Sequence, residues 1–129
     1  MDGDIDFEIE PDSGLFLVHC RGMWSPRQAD AHFAAMETAI EATRSARRSV
    51  RVLVDLRGSR VQSQTTSQAM AEGNTRIHRR ADRIAFVYDS ALQALQVKRD
   101  VITPRIAFFE SMEEARRWIE AEDTPPPGR

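Results

Sequence analysis

The sequence predicts an α/β fold: an N-terminal β-hairpin followed by βα units that form a mixed, mostly parallel sheet of about five strands with four helices. Three observations predict it. A short apolar run, rich in β-branched or aromatic residues, occurs three times, at residues 50–56, 84–88 and 106–109. These runs are too apolar to alternate, which suits strands covered on both faces, and such strands belong to parallel sheets built from crossover units. Each run leads into polar, helix-favouring sequence, and serines stand at helix starts: Ser25, Ser90 and Ser111 each precede a Gln or Glu by three residues, the spacing of a capping box.

Each element has its own signal. Ile5, Phe7 and Ile9 alternate with Asp4, Asp6, Glu8 and Glu10, the period of a strand with one wet and one buried face, placed at a sheet edge. Pro11-Asp12-Ser13-Gly14 supplies turn chemistry before a second strand over residues 15–20, completing the hairpin. Ser25 can cap the N–H of Gln28, Pro26 loses nothing at the first helical position, and Ala29, Phe33, Met36 and Ile40 make one apolar stripe down a helix ending near Thr43. The basic connector Arg44-Ser45-Ala46-Arg47-Arg48-Ser49 leads into the central strand. Residues 57–66 read as a polar loop that is long for a βα turn.

A second helix follows from about Thr66 to Arg80. Its stripe of Ala69, Met70, Gly73 and Ile77 is weak, and Gly73 costs roughly 1 kcal/mol relative to alanine, so it is expected to be the most mobile helix. The third helix is expected to turn Leu92 and Leu95 inward and to stop at Thr103-Pro104. The fourth turns Ala115, Trp118 and Ile119 inward. A single domain over residues 1–122 and a disordered, proline-rich tail over 123–129 complete the expected organisation.

Composition narrows the function classes. With 129 residues, 41% hydrophobic and 29% charged, the chain resembles an ordinary globular domain able to fold without staples. A formal charge of −2 provides no general attraction to nucleic acid or anionic membrane. One cysteine, Cys20, precludes an internal disulfide framework and a cysteine-based zinc site. No apolar stretch is long enough to span a bilayer, and the acidic start Met1-Asp2-Gly3-Asp4 is unlike a basic signal peptide, so a cytoplasmic location is expected.

Candidate chemistry is sparse. His19, His32 and His78 are far apart and none forms an i, i+4 pair, so packing or surface placement is the favoured reading and no metal is expected. No G-x-S-x-G elbow supports Ser63 or Ser90 as a nucleophile, and no cofactor motif is present, which predicts a non-enzymatic protein. Arg76, His78, Arg79, Arg80 and Arg83 cluster near the end of the second helix. They suggest an anion or acidic partner, although arginines there also complement the helix dipole. Trp24 beside Met23 either packs under the first helix, closes over a cavity or meets another subunit. Ligands of open α/β sheets bind beyond the carboxyl ends of the strands, which selects Arg57, Gly58, Ser59, Asp89 and Ser90, with Glu110 and Ser111, as one face. The 57–66 loop would form its adjustable rim.

The chain resembles the SpoIIAA-like family of small bacterial α/β domains, relatives of the STAS domains of anti-sigma-factor antagonists and of the SEC14-type lipid-binding fold. The carrying residues are Gly22-Met23-Trp24-Ser25, Leu53-Val54-Asp55-Leu56-Arg57-Gly58, Arg83-Ile84-Ala85-Phe86-Val87, and the closing segment from Ile106-Ala107-Phe108-Phe109 through Trp118-Ile119. The resemblance spans about residues 4–122 and implies an N-terminal hairpin joined to a βα superhelix. In the antagonists, the matching central strand precedes an acidic-serine-serine-glycine motif whose serine a partner kinase phosphorylates. Here the stretch reads Val61-Gln62-Ser63-Gln64-Thr65-Thr66-Ser67, without the acidic residue and the glycine. Ser63, Thr65 and Thr66 are therefore phosphoacceptor candidates, with helix capping as the competing and favoured role. The resulting expectation is a protein-interaction or regulatory module. Its partner is an unidentified protein of the kinase or regulator type, with a homodimer as a further arrangement and no nucleic acid. The alternative is a carrier of a small apolar or lipid-like ligand held between the second and third helices and the sheet.

Overall fold

The structure, a computed structural model, describes residues 3–98 and 105–121, the side chains of residues 78 and 79 excepted. The elements are β1 (Asp4–Ile9), β2 (Phe16–Gly22), α1 (Pro26–Ser45), β3 (Arg51–Ser59), α2 (Gln64–Arg80), β4 (Arg83–Val87), α3 (Ala91–Lys98), β5 (Ile106–Phe109) and α4 (Met112–Glu120). The strands form one sheet in chain order, β1-β2-β3-β4-β5. β1 pairs antiparallel with β2, and every later pair is parallel. The expected hairpin and crossover units are both present.

The apolar runs are unbroken because the sheet is covered on two sides. Val52, Leu56, Ile84 and Phe86 face the layer containing α1 and α2, where they meet Phe33, Met36, Ile40 and Ile77. Leu53, Ala85 and Val87 face α4, where they meet Ala115, Trp118 and Ile119. A strand pleat sends alternate residues to opposite faces, so both sets must be apolar. α1 starts with the complete capping box, Ser25 accepting from Gln28 N–H and Gln28 Oε1 accepting from Ser25 N–H, and its stripe of Ala29, Phe33, Met36 and Ile40 is buried. Ser111 likewise accepts from Glu114 N–H at the start of α4.

Three expectations need correction. The stretch expected as a long loop from Arg57 is strand through Ser59, since β3 keeps pairing with β2 beyond a bulge in which Leu56 and Arg57 oppose Cys20, Arg21 facing Gly58 and Gly22 facing Ser59. Only residues 60–63 connect it to α2, whose N-cap is Ser63, one of the three hydroxyls for which capping was the favoured role. Leu92 and Leu95 point outward, at 63% and 60% exposure, while Gln93 and Ala94 are the buried residues of α3. Gly73, which weakens the α2 stripe, has a packing role: a Cβ there would stand 2.1 Å from the Phe33 ring, so α1 and α2 approach through a notch that only glycine leaves open. The expected end of the third helix at Thr103-Pro104 and the tail over 123–129 lie outside the described residues.

Candidate functional site

β2 to β5 run parallel, so their carboxyl ends, and the segments that follow them, gather along one rim of the sheet. The rim is tied together by two buried glutamines. Gln62 Oε1 accepts from Trp24 N–H at 3.0 Å and Gln62 Nε2 donates to Gly22 O at 2.9 Å, fastening the segment after β3 to the segment after β2. Gln93 Nε2 donates to Ser59 O at 2.7 Å while its Oε1 accepts from Asp89 N–H at 3.2 Å, fastening α3 to the end of β3. Each amide pairs with backbone groups at the ends of strands, as burial of its own polar atoms requires.

Trp24 is buried within the chain rather than turned outward. Its indole N–H points at Met70 Sδ at 3.3 Å and its carbonyl accepts from Thr66 Oγ1 at 3.1 Å, so it locks the start of α2 against the segment after β2. The phosphoacceptor candidates occupy three different environments. Ser63 caps α2, accepting from Thr66 N–H and donating to Thr66 Oγ1; Thr65 is exposed; Thr66 is buried at 1% exposure beneath Trp24. An enzyme reaching Thr66 would first have to unwind the start of α2.

Arg57 is committed locally. Its backbone N–H and its guanidinium all donate to the Asp55 carboxylate at 2.9 to 3.0 Å. Burial raises the Asp55 carboxyl, but the Arg57 bonds outweigh it and hold the group below the usual carboxylate range. Gly58 continues the strand, Ser59 Oγ donates to Leu56 O at 2.7 Å, and Asp89 is exposed at the rim with Ser90 half-buried beside it. Arg80 is not brought to this face. α2 runs from the rim to the opposite edge, where Arg80 pairs with Glu41 of α1, and Arg76 pairs with Glu37 at 3.3 Å. The Arg79 side chain is outside the described residues.

The rim is apolar to a degree that the sequence reading missed. Of the large hydrophobic side chains exposed among the described residues, Met23, Val61, Leu92 and Leu95 lie here and Ile9 alone lies elsewhere. The glutamine links join the segments that carry Met23 and Val61, and tie the start of α3, which carries Leu92, to the end of β3. Val61, an isolated valine in a polar stretch, was the available signal; the α3 leucines were misread because eight residues carry too few positions to orient a stripe.

Beneath the rim, between α2, α3 and β3, lies a cavity of about 50 Å³ bordered by Trp24, Leu56, Met70, Gln93, Gln96 and Val97. It adjoins a second void of about 40 Å³ bordered by His32, Phe33, Met36 and Phe86, with Leu56, Met70, Asn74 and Val97 common to both. Such volumes hold a few water molecules. Among the described residues no group of three or more His, Cys, Asp or Glu side chains is placed to hold a metal ion, and no helix is long and apolar enough to cross a membrane.

The SpoIIAA-like family matches the chain over residues 15–120. Among solved structures, an uncharacterized protein of the DUF3478 family with a SpoIIAA-like fold from Shewanella loihica PV-4 superposes with a TM-score of 0.68 at 17% identity, covering 91% of this chain and 93% of that one. An anti-sigma factor antagonist from Mycobacterium paratuberculosis superposes with a TM-score of 0.56 at 15% identity, covering 92% and 96%. At these identities the likeness is one of fold. No curated protein matches the chain.

Proposed function

The chain belongs to the SpoIIAA-like family, and on that premise we propose that it acts as a non-enzymatic regulatory module whose rim docks a protein partner. The observation that carries this reading is the concentration of exposed apolar side chains, Met23, Val61, Leu92 and Leu95, on one edge of a surface otherwise rich in ion pairs. Contiguous exposed apolar surface rimmed by polar groups is the usual mark of an interaction site. The fold shared with an anti-sigma factor antagonist supports a partner of the kinase or regulator type. Ser63 and Thr65 stand within this surface at the start of α2, where an added phosphate would meet the positive end of the helix dipole and change the charge of an apolar interface.

The test is capture. The triple variant Val61→Asp, Leu92→Asp, Leu95→Asp alters only exposed positions, so its circular dichroism and Tm should match the parent. Immobilised parent protein should retain a specific protein from lysate of the source organism, and the variant should lose it. Equal retention by both overturns the reading. Incubation with that lysate and ATP should add one phosphate, located at Ser63 or Thr65 and abolished by the matching alanine substitution; an unchanged mass removes regulation by phosphate from the proposal.

A second reading rests on the cavity beneath the rim. Its walls of Trp24, Leu56, Met70 and Val97 suit a small apolar ligand, and α3 would have to move outward to admit anything larger than water. Native mass spectrometry of the purified protein should then show a bound molecule; bare polypeptide mass counts against a carrier.

A further inference from the structure

At the edge of the sheet opposite the rim, the turn between α1 and β3 meets the ends of α2 and α4 around an open basin of about 570 Å³. Among the described residues, five arginines, Arg44, Arg47, Arg48, Arg51 and Arg83, border it against one carboxylate, Asp82. That carboxylate is engaged: it accepts from Arg44 at 3.0 and 3.2 Å and from Val50 N–H at 2.8 Å. Arg51 donates to Ile119 O at 2.8 Å, and Arg83 to Trp118 O at 2.9 Å and Ala121 O at 2.6 Å. Carbonyls at the end of α4 fix those guanidinium groups, and Arg51 Nε is buried with no acceptor among the described residues. Arg47 and Arg48 are exposed and donate through their side chains to no carboxylate or carbonyl among the described residues, in contrast to Arg21, Arg57, Arg76 and Arg116, which all meet carboxylates.

The backbone supplies a second, independent observation. Arg47 N–H donates to Arg44 O at 2.9 Å and Arg48 N–H donates to Thr43 O at 3.1 Å, and Arg47 sits at φ +59°. This pair of bonds is the helix ending in which the left-handed residue is ordinarily glycine. An arginine there is held against its own backbone preference, so its contribution lies in the guanidinium rather than in the turn.

We infer that this basin binds the phosphate groups of a soluble, multiply charged phosphorylated small molecule, with Arg47, Arg48, Arg51 and the Ser49 hydroxyl as its donors. Guanidinium forks match phosphate oxygens in shape and charge, and several converging on one concave surface select a multiply charged anion over a single carboxylate. A lipid headgroup offers the same chemistry, but membrane docking needs an apolar anchor beside the charge. Among the described residues none of the exposed large hydrophobics, Ile9, Met23, Val61, Leu92 and Leu95, borders the basin.

The experiment titrates the full chain with pyrophosphate by calorimetry at low salt. Saturable one-site binding is expected, weakened about tenfold or more in the double variant Arg47→Gly, Arg48→Gln and unchanged in Arg27→Gln, which removes an exposed arginine elsewhere. Arg47→Gly alone should raise Tm while weakening pyrophosphate binding, an opposition that a purely structural residue would not produce. Absence of saturation with the parent protein overturns the site, as does an equal loss in Arg27→Gln or no loss in the double variant. Sedimentation with phosphatidic acid vesicles that exceeds sedimentation with phosphatidylcholine alone, and that disappears in the double variant, would assign the site to a headgroup and overturn the soluble ligand.

Discussion

His32 shows how a single buried residue sets the acid response. Its ring lies edge-on to Phe7 and Phe33, with centroids 5.8 and 4.9 Å away, and its Nδ1 is buried with no hydrogen-bond partner. Burial pushes its pKa down from 6.5 to about 4, against the nearby Asp6 carboxylate, which favours the charged form. The folded pKa is depressed, so between pH 6.5 and 4 the unfolded chain binds the extra proton and stability falls as pH falls through that window. The shift corresponds to roughly 3 kcal/mol at its full extent. Asp55, Asp82 and Glu10, all held below the carboxylate range in part by arginine, add losses of the same sign that begin around the ordinary carboxylate pKa, at the acid end of that window, and continue below it. His32→Phe keeps the aromatic packing and removes the titration. Its urea stability should therefore decline less than that of the parent from pH 6.5 to pH 4, whereas parallel profiles would show that His32 does not carry the acid sensitivity. Sequence favoured packing or surface placement for His32 because no histidine stands four residues away, but it held no sign of the missing partner, which depends on what β1 places opposite the ring.

At the scale of elements, α2 was legible in extent and misjudged in detail. Gly73 reads in sequence as a weakness because its propensity cost is local, while its use, admitting the Phe33 ring, is set by a helix forty residues earlier. Gly73→Ala separates the two effects. Propensity alone would stabilise α2 by about 1 kcal/mol, but a methyl group driven into a buried ring should destabilise by about 1–3 kcal/mol, and the second term prevails. Denaturant unfolding should show a net loss that shrinks in a Phe33→Leu background; a net gain in the parent background would contradict the close approach. The same limit applies to the residues read as a long loop. Arg57-Gly58-Ser59 looks like turn chemistry in isolation, yet pairing with Arg21 and Gly22 carries the strand through it. For α3, the burial of Gln93 in place of Leu92 follows from an unpaired carbonyl at Ser59, a tertiary demand that no local period records.

The whole molecule has two unlike ends. Strands that run parallel place an apolar rim at their carboxyl ends and a cationic basin at their amino ends, with the ion pairs that bind α1 to α2 between them. The fold class, the hairpin and the capped starts of α1 and α4 were readable because they rest on periodicity and capping, which are properties of neighbouring residues, whereas at α3 Gln93 accepts from Asp89 N–H in place of the expected Ser90 N–H. That the segments after β2 to β5 share one rim was readable too, since it needs only topology. Its chemistry was not. Sequence singled out Arg57 and Arg80 as binding candidates without showing that Asp55 and Glu41 pair with them, and it gave the leucines of α3 to the core.

The most direct measurement of the central claim is site-specific photo-crosslinking in the source cell, with p-benzoylphenylalanine at position 92 on the rim or at position 117 on the outer face of α4. A protein adduct of defined mass should form from position 92, be absent from position 117, and disappear when Val61 is changed to Asp. No adduct at position 92, or the same adduct from both positions, would contradict a docking surface at the rim.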